Sequence, residues 1–116
     1  MLAHPRGRIF NFRPGLRANW GRVFECARER DRAIEIDGYP DRQDIPGELL
    51  GLASESGIRI SIGSDAHASD LLEFLKFGIA AAYRAGIPDE RIINCMTADE
   101  LLAWTDGLRR RRSRGG

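Results

Sequence analysis

Histidine is scarce in this 116-residue chain: only His4 and His67 occur. Cysteine is equally scarce, and Cys26 and Cys95 stand apart, without the Cys-x-x-Cys spacing of a zinc or redox motif. A disulfide framework and a cysteine-built metal site are thereby excluded, and both thiols are expected to be small core residues of a reduced, cytoplasmic protein. There is no run of 18 apolar residues, so no membrane span is expected. The first residues lack the apolar stretch of a secretory signal. Net charge is only +1, so no global field points to a polyanionic partner. The chain shows no internal repeat, and no low-complexity tract other than its arginine-rich end.

What is present fits one globular domain. Hydrophobic residues make up 42% of the chain and charged residues 30%, the proportions of a soluble fold. A chain of this length buries roughly two thirds of its unfolded surface, enough for a modest core. The positive charge is unevenly placed. Arg109, Arg110, Arg111, Arg112 and Arg114 crowd the last eight residues, and the remainder carries −4. The expected organisation is a domain over 1–108 followed by a disordered arginine-rich tail over 109–116.

The apolar pattern alternates between two periods. Met1 to Ala3 reads as the tail of a strand, and Pro5 to Gly15 as a basic loop. Asn19 is placed to cap a helix over Trp20–Glu29, whose apolar residues recur at helical spacing. Ala33 to Ile36 reads as a strand. Ile45 to Ser56 reads as a helix with Pro46 in its first turn and Gly57 as its stop. Ile58, Ile60 and Ile62 alternate as in a strand. A helix over Leu71–Phe77 with Leu71, Leu72, Phe74 and Leu75 buried, a break at Gly78 and a short strand over Ile79–Ala82 are expected next. Pro88 to Asn94 reads as a short helix. Thr97 and Glu100 form a capping box that opens a last helix running to about Thr105, ended by Gly107. Trp20, Phe24, Phe74 and Trp104 are expected in the core. The alternation argues for βα units around a parallel sheet.

The stretch Ile58-Arg59-Ile60-Ser61-Ile62-Gly63-Ser64-Asp65-Ala66-His67 carries the chemistry. A strand running into Gly-Ser-Asp-x-His delivers a carboxylate and an imidazole to its C-terminal mouth, where active sites of α/β folds are built. Asp65 could equally be the cap of the following helix. His4, in Leu2-Ala3-His4-Pro5, sits at the same kind of place at the end of another strand-like segment.

Several stretches, in order, resemble the PHP (polymerase and histidinol phosphatase) superfamily, most closely the PHP domain of bacterial family X DNA polymerases. They are Leu2-Ala3-His4-Pro5-Arg6-Gly7-Arg8, Arg13-Pro14-Gly15, Ala33-Ile34-Glu35-Ile36, Pro40-Asp41-Arg42, Ser64-Asp65-Ala66-His67, Phe77-Gly78 and Leu101-Leu102-Ala103-Trp104. The resemblance implies an α/β fold that is part of a distorted (β/α)7 TIM-like barrel, here its C-terminal half. The family's N-terminal half should bring a His-x-His pair, another histidine and a bridging glutamate, none of which is found in this chain. Asp37 and Tyr39 stand where asparagine-like polar residues are expected.

The resemblance further implies a metal-dependent phosphoesterase using manganese, zinc or iron, with His4, Asp65 and His67 as metal ligands and Asp65 and His67 at the catalytic centre. Imidazole and carboxylate ligands suit such metals better than magnesium. The implied substrates are DNA 3′ ends, by 3′–5′ exonuclease or 3′-phosphatase action, or a small phosphate ester as in histidinol phosphatases. A non-catalytic module is a further alternative, because three ligands cannot build a multinuclear cluster. The missing half of the domain, or a partner subunit, is the expected protein partner. Arg8, Arg13 and Arg42 are candidates for phosphate contact, against the alternative of a solvated basic loop. Glu35 is a candidate support for a metal-bound histidine, or a buried carboxylate pairing with an arginine. The arginine-rich end either grips phosphate electrostatically or solubilises the chain.

Overall fold

The computed structural model describes residues 1–114. Its centre is a pair of parallel strands, β1 (Ala33–Asp37) and β2 (Arg59–Gly63), aligned Ala33 to Arg59 through Asp37 to Gly63. Parallel neighbours need a crossover, supplied here by α2 (Gly47–Ser56). Two single-residue bridges extend the sheet outward. Leu2 pairs in parallel with Ile34, and Ile92 in parallel with Ile60. Four backbone segments therefore lie side by side in the order Leu2, β1, β2, Ile92. Asn94 adds to the outer side: its amide accepts from Ile62 N at 2.8 Å and donates to Ile62 O at 2.9 Å.

Strand alternation separates two chemistries. Ile34, Ile36, Ile60 and Ile62 share one face and are buried, in one apolar cluster with Trp20, Phe24, Leu50, Ala53 and Ala82. These partners come from α1 (Trp20–Glu29), α2 and α3 (Leu75–Arg84). Phe24 is fully buried, and truncating such a side chain typically costs about 3–5 kcal/mol. Glu35, Asp37, Arg59 and Ser61 alternate onto the other face.

Local signals set three helix ends where expected, whereas α2 opens at Gly47 with Pro46 as its cap, two residues later than expected. Asn19 Oδ1 accepts from Arg22 N at 3.1 Å and caps α1. Gly57 closes α2 with φ 75, a left-handed conformation that glycine adopts without steric cost. Thr97 and Glu100 form the reciprocal box. Glu100 Oε2 accepts from Thr97 N at 2.7 Å, and Thr97 Oγ1 accepts from Glu100 N at 3.3 Å.

Seven expectations are corrected. Residues 69–84 hold no strand: a 3₁₀ segment over Ser69–Phe74 leads directly into α3, and Ile79–Ala82 is helical. Gly78 does not break this helix, because its role is close approach; a Cβ there would lie 2.5 Å from Ile62 Cγ2. The 3₁₀ segment buries no residue, and Leu72 is 62% exposed. Phe74 and Trp104 are half-buried, whereas Trp20 and Phe24 are in the core. Pro88 to Asn94 is not one helix but two 3₁₀ turns, Asp89–Arg91 and Ile93–Cys95, separated by the extended Ile92.

Cys26 and Cys95 are exposed thiols, not core residues. Finally, α4 (Ala98–Arg114) passes through Gly107 and carries the arginine run as helix, where a disordered tail was expected. Leu108 is buried, and Trp104 Nε1 donates to Asp31 O at 3.1 Å. Both anchor the helix beyond the expected stop.

No helix is long and apolar enough to cross a membrane among the described residues.

Candidate metal centre

Leu2 holds the first segment against β1, with Leu2 N donating to Ala33 O at 2.9 Å and Glu35 N donating to Leu2 O at 3.0 Å. His4 follows two residues later and turns sharply, with φ 46. Its own N–H donates to Glu35 Oε2 at 2.7 Å. Asp65 makes the corresponding turn after β2, with φ 51. Left-handed angles in residues other than glycine are uncommon and gather at functional sites. Here both fall just beyond the C-terminal ends of parallel segments that flank β1.

The turns bring four side chains together. His4 Nδ1 lies 3.2 Å from Asp37 Oδ2 and 3.5 Å from Glu35 Oε2. His4 Nε2 lies 3.8 Å from Asp65 Oδ1. One ligand atom each from His4, Glu35 and Asp37 falls within a mutual 4.8 Å. Arg42 closes the arrangement, its Nε donating to Asp65 Oδ2 at 2.7 Å and lying 3.7 Å from Asp37 Oδ2. Both ring nitrogens of His4 thus face carboxylates, Nδ1 towards Asp37 and Nε2 towards Asp65.

Asp37 is buried at 1% exposure. Burial raises its pKa above the ordinary 3.8; the Tyr39 N–H opposes this, the negative charges of Asp65 and Glu35 add to it, and the His4 hydrogen bond opposes it. Three carboxylates around one imidazole is thus an arrangement short of positive charge. Arg42 is the one guanidinium ion-paired to the group among the described residues.

The sequence-derived candidates are placed unevenly. His4, Glu35, Asp65 and Arg42 converge. His67 does not join them: it forms no ion pair among the described residues, and its Nδ1 donates to Asp65 O at 2.7 Å. Arg8 braces loops, donating from Nε to Arg42 O and from Nη2 to Gln43 O, each at 2.8 Å, with its guanidinium 4.6 Å from the Phe10 ring centre. Arg13 is exposed and joins the basic loop through its backbone, bridging Ile9. Glu35 pairs with no arginine among the described residues; the His4 N–H and ring are its partners.

Asp37 was the residue missed. The signal was available: two positions beyond Glu35 on one strand, it shares Glu35's face. A cavity of about 790 Å³ lies apart from the group, between α2 and α3, and touches it at Asp37.

Parallel strands whose C-terminal ends gather an imidazole and three carboxylates define a class of α/β protein suited to holding a cation or a ligand bound through one. No protein-family model matches the chain. It is similar to the DNA polymerase/3′-5′ exonuclease PolX of Bacillus subtilis (strain 168), 30% identical over 104 residues. The match covers 90% of this chain and 18% of that protein, so the chain spans less than a fifth of the relative's length. The similarity relates the chain to one segment of such a polymerase.

Proposed function

We propose that the chain is part of a metal-dependent phosphoesterase of the PHP type, acting on DNA 3′ ends as a 3′–5′ exonuclease or 3′-phosphatase linked to a family X DNA polymerase. The observation that carries this reading is the convergence of His4, Glu35 and Asp37 ligand atoms within 4.8 Å at the mouth of parallel strands. The similarity to the Bacillus DNA polymerase/3′-5′ exonuclease supports the choice of substrate. The four side-by-side segments and the helices on one face support a partial barrel.

The donor set fits a divalent cation of the manganese, zinc or iron kind. A buried carboxyl whose charged form is disfavoured by burial and by two neighbouring carboxylates gains from a positive ion beside it. His4, Glu35, Asp37 and Asp65 are the residues that would hold it, and His67 Nε2 is the exposed imidazole nearest in sequence. When bound, such an ion supplies Lewis-acid polarisation of a phosphate ester.

The chain's own residues do the rest. Asp37 orients the His4 ring through Nδ1. Glu35 holds the His4 backbone in its turn. Arg42 positions the Asp65 carboxylate and keeps one guanidinium edge near the group.

The test is calorimetric titration of the chain with manganese and zinc chloride, followed by release of phosphate from a 3′-phosphorylated oligonucleotide. Binding that disappears in Asp37→Asn, and manganese-dependent release that disappears in Asp65→Asn, is the expected result. Release that survives Asp65→Asn rejects the site. Binding without release favours a non-catalytic module, and hydrolysis confined to small phosphate monoesters favours a histidinol-phosphatase-like substrate.

A further inference from the structure

The end of the sheet opposite the metal centre has its own chemistry. Asp31 lies in the turn just ahead of β1, and Asp37 is the last residue of β1; the four strand steps from Ala33 to Asp37 alone span about 13 Å. Three side chains from two elements meet at Asp31. Trp104 of α4 donates to its carbonyl at 3.1 Å. Arg59 of β2 donates to Oδ1 at 2.7 Å, and Arg111 of α4 lies 4.0 Å from Oδ2. The arginine-bearing turns of α4 are therefore docked at the N-terminal end of β1, remote from His4 and Asp65.

This end holds more cations than counter-charges. Asp31 is shared by Arg59 and Arg111, and Asp106 is paired with Arg109. Arg110 and Arg112 make no hydrogen bond or ion pair among the described residues, and both are exposed. The end of α1 and the turn to β1 add Arg28, Arg30 and Arg32, whose side chains are likewise without a partner among the described residues; Glu29 is the remaining carboxylate of that segment. The net charge of +1 hides this, because charges more than about 10 Å apart are screened from one another at ordinary salt.

We propose that α4's arginine-bearing end and the α1–β1 turn form a seat for the phosphate backbone of a nucleic acid, separate from the metal centre. The choice of nucleic acid rests on the reading of the substrate above; the seat itself rests on the charges and their placement. Guanidinium groups bind phosphate through paired, planar hydrogen bonds. A repeating phosphate chain suits several of them held on one rigid surface. An anionic lipid surface is the less suited polyanion: a membrane-lying helix needs an apolar face beside its basic one. After Leu108, itself buried, α4 has only arginine and one serine. The seat makes no base contacts, so it is expected to bind without sequence preference.

The test uses the whole chain in EDTA, where no metal-dependent step can run. Affinity for a short fluorescein-labelled DNA duplex is followed by anisotropy across a salt titration. Arg110→Gln/Arg112→Gln, and separately Arg28→Gln/Arg30→Gln, replace exposed side chains and keep the helix-forming tendency of residues 110 and 112. The slope of log affinity against log salt is expected to fall by about 0.9 for each arginine taken from contact. Arg84→Gln, which takes one exposed arginine from α3 outside the seat, is expected to bind as the parent does. Unchanged slope and affinity in both double variants overturn the seat. So does an equal loss per arginine in Arg84→Gln, which makes the effect one of net charge alone. Tighter binding to phosphatidylserine vesicles than to DNA also overturns it and points to a membrane. Failure of the phosphoesterase reading shows separately, as DNA binding intact in EDTA with no metal-dependent release of phosphate.

Discussion

His4 Nε2 and Asp65 Oδ1 lie 3.8 Å apart although 61 positions of sequence separate the two residues. Each sits just past the C-terminal end of its own parallel segment, in a left-handed turn. One segment is a two-residue-deep strand tail held by Leu2, and the other is β2, with β1 between them. Glu35 and Asp37 on that middle strand fill the space between the turns. The group is thus a product of strand order: residues on three neighbouring segments meet because the segments run parallel and end at the same level.

The ligand series comes first. Glu35→Gln and Asp37→Asn each remove a charge from the group, and His4→Ala removes its nitrogen. Each is expected to weaken manganese or zinc binding by about 10–100-fold or more. His67→Ala is expected to weaken it by less than His4→Ala, because His67 stands outside the cluster. Isothermal titration checks the ranking. A larger loss in His67→Ala than in Asp37→Asn contradicts it.

The pH dependence of stability follows from Asp37. Its folded pKa is raised, by burial first, so the folded state binds this proton more tightly than the unfolded state does. As pH rises from the ordinary value of 3.8 through the folded value, this group's contribution to stability falls. Asp37→Asn removes the penalty. The variant is expected to melt at a higher temperature than the parent near neutral pH, with the difference shrinking as pH drops below 3.8. Thermal melts without added metal, across that range, test it; a difference that grows in acid contradicts the assignment.

Gly78 predicts a packing effect. An added methyl would sit 2.5 Å from Ile62 Cγ2, between α3 and β2. Gly78→Ala trades better helix propensity for overpacking, and overpacking of this kind costs about 1–3 kcal/mol. Chemical denaturation is expected to show a net loss, and Gly78→Val a larger one.

Gly63 separates position from stability. A Cβ there would meet Glu35 Oε1 at 2.6 Å, the end of a flexible side chain. Gly63→Ala is expected to displace the Glu35 carboxylate and weaken metal binding by about 10-fold, the scale of disturbed ligand support, while the fold persists. Circular dichroism beside the metal titration distinguishes this from unfolding.

Arg42 tests positioning. Its Nε holds Asp65 at 2.7 Å. Arg42→Lys keeps the charge and loses the planar fork. Phosphate release is expected to fall with little change in the melting temperature, and Arg42→Ala is expected to lower it further.

The amino-acid sequence by itself determined what depends on neighbours along the chain. Asn19, Gly57 and the Thr97–Glu100 box set helix ends through bonds spanning a few residues. The alternation of apolar periods set the parallel βα order, and Gly-Ser-Asp-x-His and His-Pro marked two strand mouths. The tertiary structure decided what depends on approach between segments. It made Gly78 a contact instead of a breaker, because Ile62 presses against it. It kept α4 helical through Gly107, because Leu108 and Trp104 are anchored. It set Cys26 and Cys95 at the surface, turned Arg8 to carbonyls instead of solvent, and put Asp37 beside His4 while leaving His67 outside. Burial and close packing are properties of pairs of segments, and no spacing within one segment encodes them.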